Sequence, residues 1–315
     1  MSTHRLAALL LAACASDPPD PCGSDDGIVR GTASASGLTA DETPEITVHA
    51  WHPQLGAVST SPNAAGQWEL TLRGGTTWTV YAEVEVPPEV DTDDDSDAYW
   101  GPTNCYSIDH EVAVARCGTQ RLNLTLDECV TADKPNLYLY PSRDTPTRVR
   151  LRHDRRQTVF ASDPPYEGMW TGTAHPDGTF TPTGGARAPF LFYEITVLPG
   201  QLHSLQRTSA VCIDGDGAVE AMADLLGAYG FTDRERRDFI DGWRADLPSR
   251  PSYTVYPQRA VDHVVGVDLQ PPLPLHRLWL LVEDGAGCVP SNTAPVPISR
   301  VGPHAVEWGV VLRGL

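Results

Sequence analysis

The sequence predicts a mainly β protein: an N-terminal antiparallel β-sandwich, then an α+β domain with a mostly antiparallel sheet and a two-helix insertion. Three observations predict it. The 315 residues carry 28 prolines and 27 glycines, which favours short elements joined by turns. Apolar residues alternate with polar ones over most of the chain, the period of half-buried strands. Helical spacing is confined to one stretch near residues 216–247.

The elements follow in order. In Gln67-Trp68-Glu69-Leu70-Thr71-Leu72-Arg73, the residues Trp68, Leu70 and Leu72 share one face. The alternation recurs at residues 78–84 and 121–126, with Gly74-Gly75 expected as a hairpin turn. After Cys129 strands are expected at 147–153, 188–197, 264–269, 276–283 and 304–313. Val219, Met222, Leu226 and Tyr229 mark a helix that Asp216 would cap and Gly230 would end. Thr232 and Glu235 form a capping box for a second helix, whose stripe is Phe239, Trp243 and Leu247 and whose stop is Pro248.

The N-terminus is expected to be an export signal. Met1–Arg5 is basic, Leu6–Ala13 is apolar but too short to span a bilayer, and small residues precede Cys14. Leu11-Ala12-Ala13-Cys14 resembles the lipobox of bacterial lipoproteins. That resemblance implies cleavage before Cys14 and its acylation, so membrane lipid is an expected partner. The organisation is then a signal peptide over 1–13 and an acidic, proline-rich tether over 14–27. A sandwich over 28–128 and the α+β domain over 129–315 follow. The protein is expected outside the cytoplasm, anchored to an outer membrane or cell surface rather than the inner membrane.

Six further cysteines in an exported chain read as disulfide candidates. Spacing suggests Cys105 with Cys117 and Cys212 with Cys288, leaving Cys22 for Cys129. No C-x-x-C pair is present. The formal charge of −18 argues against a nucleic-acid partner.

Two further resemblances concern the domains. The run G-I-V-R-G-T-A, I-T-V-H-A-W and A-A-G-Q-W-E-L-T-L-R-G-G-T-T-W-T-V-Y-A-E, residues 28 to about 85, resembles the carboxypeptidase regulatory-like or transthyretin-like sandwich. That implies a spacer or binding module. Lys134-Pro135-Asn136-Leu137-Tyr138-Leu139-Tyr140-Pro141 resembles the K-P-x-x-Y-L-Y-P opening of a bacterial family of uncharacterised function. Phe190–Glu194, Phe239-Ile240 with Trp243, and Glu307-Trp308-Gly309 follow in that family's order. This sequence departs from it with Tyr193 for a tryptophan, and with Gly242 where an aromatic precedes Trp243.

No nucleophile elbow, H-E-x-x-H, phosphate loop or dinucleotide fingerprint occurs, so no cofactor or metal is expected. The Asp91–Asp97 run and the Asp214–Gly217 segment lack the closing carboxylate of a calcium loop. Three constellations remain. Glu194 and Glu307 lie beside aromatics and could act as a general acid and base, or be plain strand-end carboxylates. Arg148, Arg150 and Arg152 project from one strand face, with Arg143, Arg155 and Arg156 nearby. They could hold an external anion or clamp the Asp91–Asp97 loop across the domain interface, and the clamp is the expectation. Lys134 is the only lysine beside 22 arginines. The expected function is a non-catalytic binding protein of the cell envelope, its partner an envelope polymer or glycan. A carbohydrate-active hydrolase using the two glutamates and a purely structural envelope protein are the alternatives.

Overall fold

The computed structural model describes residues 25–35, 45–86, 103–126 and 130–313. Cys14, Cys22, Cys129 and the Asp91–Asp97 run lie outside them, as does the side chain of Cys105.

Among the described residues, the N-terminal sandwich contains the strands β1 (Asp26–Ala35), β2 (Ile46–His52), β3 (Gly56–Thr60), β4 (Gln67–Arg73), β5 (Thr76–Val86), β6 (Thr103–Tyr106), β7 (His110–Val114), β8 (Thr119–Arg121) and β9 (Leu124–Leu126). One sheet runs β4-β1-β8, with β9 also on β1; the other runs β3-β2-β5-β6, with β7 on β5. Trp68, Leu70 and Leu72 do face the core between them. The Gly74-Gly75 turn is not a hairpin, because β4 pairs with β1 while β5 pairs with β2. It is the corner where the chain changes sheets, which leaves both flanking strands the same alternation. The pairings of β1 with β8 and with β9 are parallel.

The second part contains β10 (Thr131–Tyr140), β11 (Thr145–Arg152), β12 (Val159–Asp163), β13 (Trp170–Ala174), β14 (Phe180–Pro182) and β15 (Leu191–Thr196). After these come α1 (Pro199–Ser204), β16 (Val211–Asp214), α2 (Ala218–Ala228), α3 (Asp233–Trp243), β17 (Ser252–Gln258), β18 (Gly266–Gln270), β19 (Leu275–Asp284) and β20 (His304–Arg313). A seven-stranded sheet runs β12-β15-β10-β20-β19-β17-β16, antiparallel except between β19 and β20. A four-stranded sheet, β14-β13-β11-β18, covers one face through Val149, Leu151, Trp170 and Phe180. Helices α2 and α3, inserted between the paired strands β16 and β17, cover the other through Met222, Leu226, Phe239 and Trp243. The result is three layers, each pair enclosing its own apolar core.

The capping box of α3 forms as expected: the Thr232 hydroxyl accepts from the Glu235 N–H, and Glu235 accepts from the Thr232 N–H at 2.7 Å. The cap of α2 is Gly217, not Asp216, with φ at 72° and no side-chain cap. Glycine takes that left-handed conformation without steric cost, which moves the helix start one residue along. Cys212 on β16 and Cys288 after β19 form a disulfide with Cα atoms 5.8 Å apart.

Candidate functional site

Strand β10 carries a register shift between Asp133 and Asn136 against both its neighbours. Lys134 sits in the shift with φ at 52°, a conformation that costs a non-glycine residue about 1–3 kcal/mol. Beyond it Asn136, Tyr138 and Tyr140 point toward α3, and Leu137 and Leu139 toward the opposite core.

Three of those four side chains clasp the helical segment in turn. Lys134 pairs with Asp246, Tyr138 donates to Asp238 Oδ2 at 2.9 Å, and Tyr140 donates to Glu235 Oε1 at 2.6 Å. Residues 235, 238, 242 and 246 advance by about one turn each, so they form one stripe that runs antiparallel across β10. Burial and the nearby Asp238 carboxylate hold the Tyr138 phenol well above its usual acidity range. Burial also pushes Asp238 up, against the hydrogen bond from Tyr138.

Asn136 is the exception. Its place in the seam lies opposite Gly242, which has no side chain to offer, and a pocket of about 260 Å³ opens there. Lys134, Asn136, Phe190, Phe192, Asp238 and Trp308 are among its walls. Asn136 is 3% exposed, and its Oδ1 has no hydrogen-bond partner. Leaving such an acceptor unpaired costs about 1–3 kcal/mol. The pocket presents the carboxylates of Asp238 and Asp241 beside the rings of Phe190 and Phe192, with Asn136 buried in its wall.

Glu194 and Glu307 are not brought together. The Tyr193 hydroxyl donates to Glu307 Oε1 at 3.1 Å, so Glu307 shares the face of Tyr193; Glu194, the next residue along β15, points to the other. Glu307 is fully buried between the sheets, where Arg277 and the Trp279 indole each donate to the same oxygen at 2.7 Å. Trp279 also occupies the space beside Gly309, where an added Cβ would lie 3.0 Å from the indole nitrogen. Glu194 is buried near Lys134, and burial pushes its carboxyl up to about 7, Asp133 adding to the effect while Lys134 opposes it.

The arginine face of β11 is exposed as expected. Arg152 donates to Asp268 on the neighbouring strand at 2.8 Å, and Arg148 and Arg150 have no ion-pair partner among the described residues. The Asp91–Asp97 partner of the expected clamp lies outside the described residues; among the described ones, Arg155 and Arg156 are in contact with the N-terminal part. Arg155 stacks 4.4 Å over Trp51, and Arg156 grips Asp109 at 2.6 Å while lying over Tyr81. These two reach across because they lie past the end of β11, where the backbone turns. Cys117 is disulfide-bonded, while the expected partnerships of Cys22, Cys105 and Cys129 rest on side chains outside the described ones. Among the described residues, no three His, Cys, Asp or Glu gather as metal ligands.

Sequence reasoning missed Asn136, Asp238 and Asp241. The available signal was the polar stripe Glu235, Asp238, Gly242 and Asp246, which shares its helix with the apolar stripe and matches the alternate residues of the Lys134–Tyr140 motif.

No family model matches this chain, and no curated protein matches it. Solved structures with some likeness include a leucine-rich repeat protein from Bacteroides thetaiotaomicron, 16% identical with a TM-score of 0.23; it aligns with 52% of this chain, which spans 23% of that one. A DUF3823 family protein from Parabacteroides merdae is 10% identical over 54% of this chain and 96% of its own, with a TM-score of 0.19. The major pilin subunit of Bacillus cereus is 10% identical over 90% of this chain and 84% of its own, also at 0.19. The functional reading rests on the chain's own residues.

Proposed function

We propose that the chain is a membrane-anchored extracytoplasmic lipoprotein of the bacterial envelope that binds an envelope polymer or glycan without catalysis. The observation that carries the binding reading is the pocket opposite Gly242, lined by Asp238, Asp241, Phe190 and Phe192. Asp238 and Asp241 would accept from ligand hydroxyls or amines. Phe190 and Phe192, both half-buried, offer apolar faces for the C–H side of a sugar ring. The separation of Glu194 from Glu307 by the sheet supports binding over two-carboxylate hydrolysis, which needs both groups on one substrate.

The anchor reading comes from the opening run and Cys14. Among the described residues no helix is long and apolar enough to cross a membrane. Acylation of Cys14 is the proposed attachment. Two measurements test the whole. An array of glycans and envelope polymers should capture the ectodomain, and Gly242→Leu should remove that capture; an array that captures nothing favours the purely structural alternative. Cys14→Ser should abolish partitioning into the detergent phase, and unchanged partitioning would sink the lipoprotein reading.

A further inference from the structure

A second concavity, of about 720 Å³, lies on the N-terminal sandwich. Strand register places its charges. Glu69 on β4, Arg30 on β1 and Arg121 on β8 are partners in one row across three strands, and all three are exposed. Register partners point to the same face, so the two arginines start from strands about 4.8 Å apart. Arg30 lies 3.8 Å from Glu69, and Arg121 has no ion-pair partner among the described residues. Like charges side by side on neighbouring strands destabilise a sheet. Both side chains point away from the core that Val29 and Leu70 help to fill, so packing does not require the pair. The neighbouring row adds hydrogen-bond donors. Asn123 Oδ1 accepts from the N–H and the hydroxyl of Thr32, both at 3.1 Å, and Gln67 Oε1 accepts from Asn63 Nδ2 at 3.2 Å. Each amide thus has its oxygen engaged within the protein, while the nitrogens of Asn123 and Gln67 have no acceptor among the described residues. Thr60 and Ser61 bring hydroxyl groups to the same concavity.

We propose that this concavity is a second binding site of the chain, for a saccharide that bears an anionic group, a carboxylate or a phosphate. An anion seated between Arg30 and Arg121 accepts from both and removes their repulsion. A guanidinium suits either acid, because its planar fork pairs with two acid oxygens at once. The nitrogens of Asn123 and Gln67 and the hydroxyls of Thr60 and Ser61 then meet the oxygens of the sugar. Glu69 is the only carboxylate among the lining residues, and it faces two cations. One positive charge is therefore left unmatched there, in a chain whose formal charge is −18. The pocket opposite Gly242 has the reverse character, since its charged walls include Asp238 and Asp241, which repel an anion. The two sites select different chemical groups, and this one stands whether or not the other binds.

Calorimetric titration of the full-length protein with galacturonate, glucose 6-phosphate and uncharged glucose tests this. At least one charged sugar should bind more tightly than glucose, and added salt should weaken it. Which of the two binds distinguishes carboxylate from phosphate. Arg121→Gln should weaken that binding about tenfold or more, the worth of a hydrogen bond to a charged group. The same variant should melt at or above the wild-type temperature, because the repulsion between the arginines goes with the charge. Gln67→Glu, which keeps an oxygen for Asn63 and adds a negative charge, should also weaken binding, and Gly242→Leu should leave it unchanged. Equal affinity for charged and uncharged sugars would overturn the proposal, as would wild-type affinity in Arg121→Gln. An Arg121→Gln protein that melts well below wild type would show the arginine to be structural, and binding lost in Gly242→Leu would place the sugar in the other pocket; either result also overturns it.

Discussion

Tyr140 donates its phenolic proton to Glu235, and that carboxylate simultaneously caps α3 at Thr232 and pairs with Arg300. One fully buried glutamate thus joins a strand, a helix start and the long segment before β20. Tyr140→Phe should cost about 1 kcal/mol, the net worth of one hydrogen bond. Glu235→Ala should cost about 3–5 kcal/mol, because it strands Arg300 and uncaps the helix. Urea unfolding midpoints at constant slope would check both, and equal losses would contradict the network.

On the other face of the same sheet, Glu307 accepts from Arg277, Trp279 and Tyr193 through one oxygen, and its second oxygen has no partner. Removing one charge leaves the other buried. Glu307→Leu should therefore destabilise by about 3–5 kcal/mol, and the double variant with Arg277→Met should recover much of that. A double variant as unstable as the sum of the singles would mean that the pair is not coupled.

The two glutamates also show how much of this molecule is legible in its sequence. Alternation located β4 and β11, because a strand's two faces meet different solvents at every step: Leu70 is buried, Arg150 exposed. The capping box of α3 was legible because it is local. Which strand lies beside which is not local, and so Gly74-Gly75 reads as a hairpin although β4 and β5 belong to different sheets. For the same reason Glu194 and Glu307 read as a pair when parity across β15 sets them on opposite faces. Arg155 and Arg156 reach Trp51 and Asp109 through a turn that no periodicity encodes. The pocket arises from an absence, Gly242 opposite Asn136, and an absence is legible only once its counterpart is known.

Glu194 supplies a pH signature. Burial raises its carboxyl from 4.5 to about 7 in the folded protein. Between those values the unfolded chain loses this proton while the folded chain retains it, so stability falls as pH rises through that window. The contribution is complete below the unfolded value and gone above about 7, on the order of 3 kcal/mol. Glu194→Gln should flatten this part of the stability profile, as read by thermal melts from pH 4 to 8. An unchanged slope in the variant would place the titration elsewhere.

The central claim is that the gap between Asn136 and Gly242 is a ligand site rather than a packing defect. Gly242→Leu tests it most directly, since a Cβ there meets only Lys134 Cδ at 3.7 Å, an ordinary contact, and leucine favours the helix. Wild type and variant would be compared on one array of glycans and envelope polymers, with their melting temperatures measured alongside. The account predicts that the variant melts at or above the wild-type temperature and loses the wild-type binding. A variant that folds equally well and captures the same polymers would contradict it.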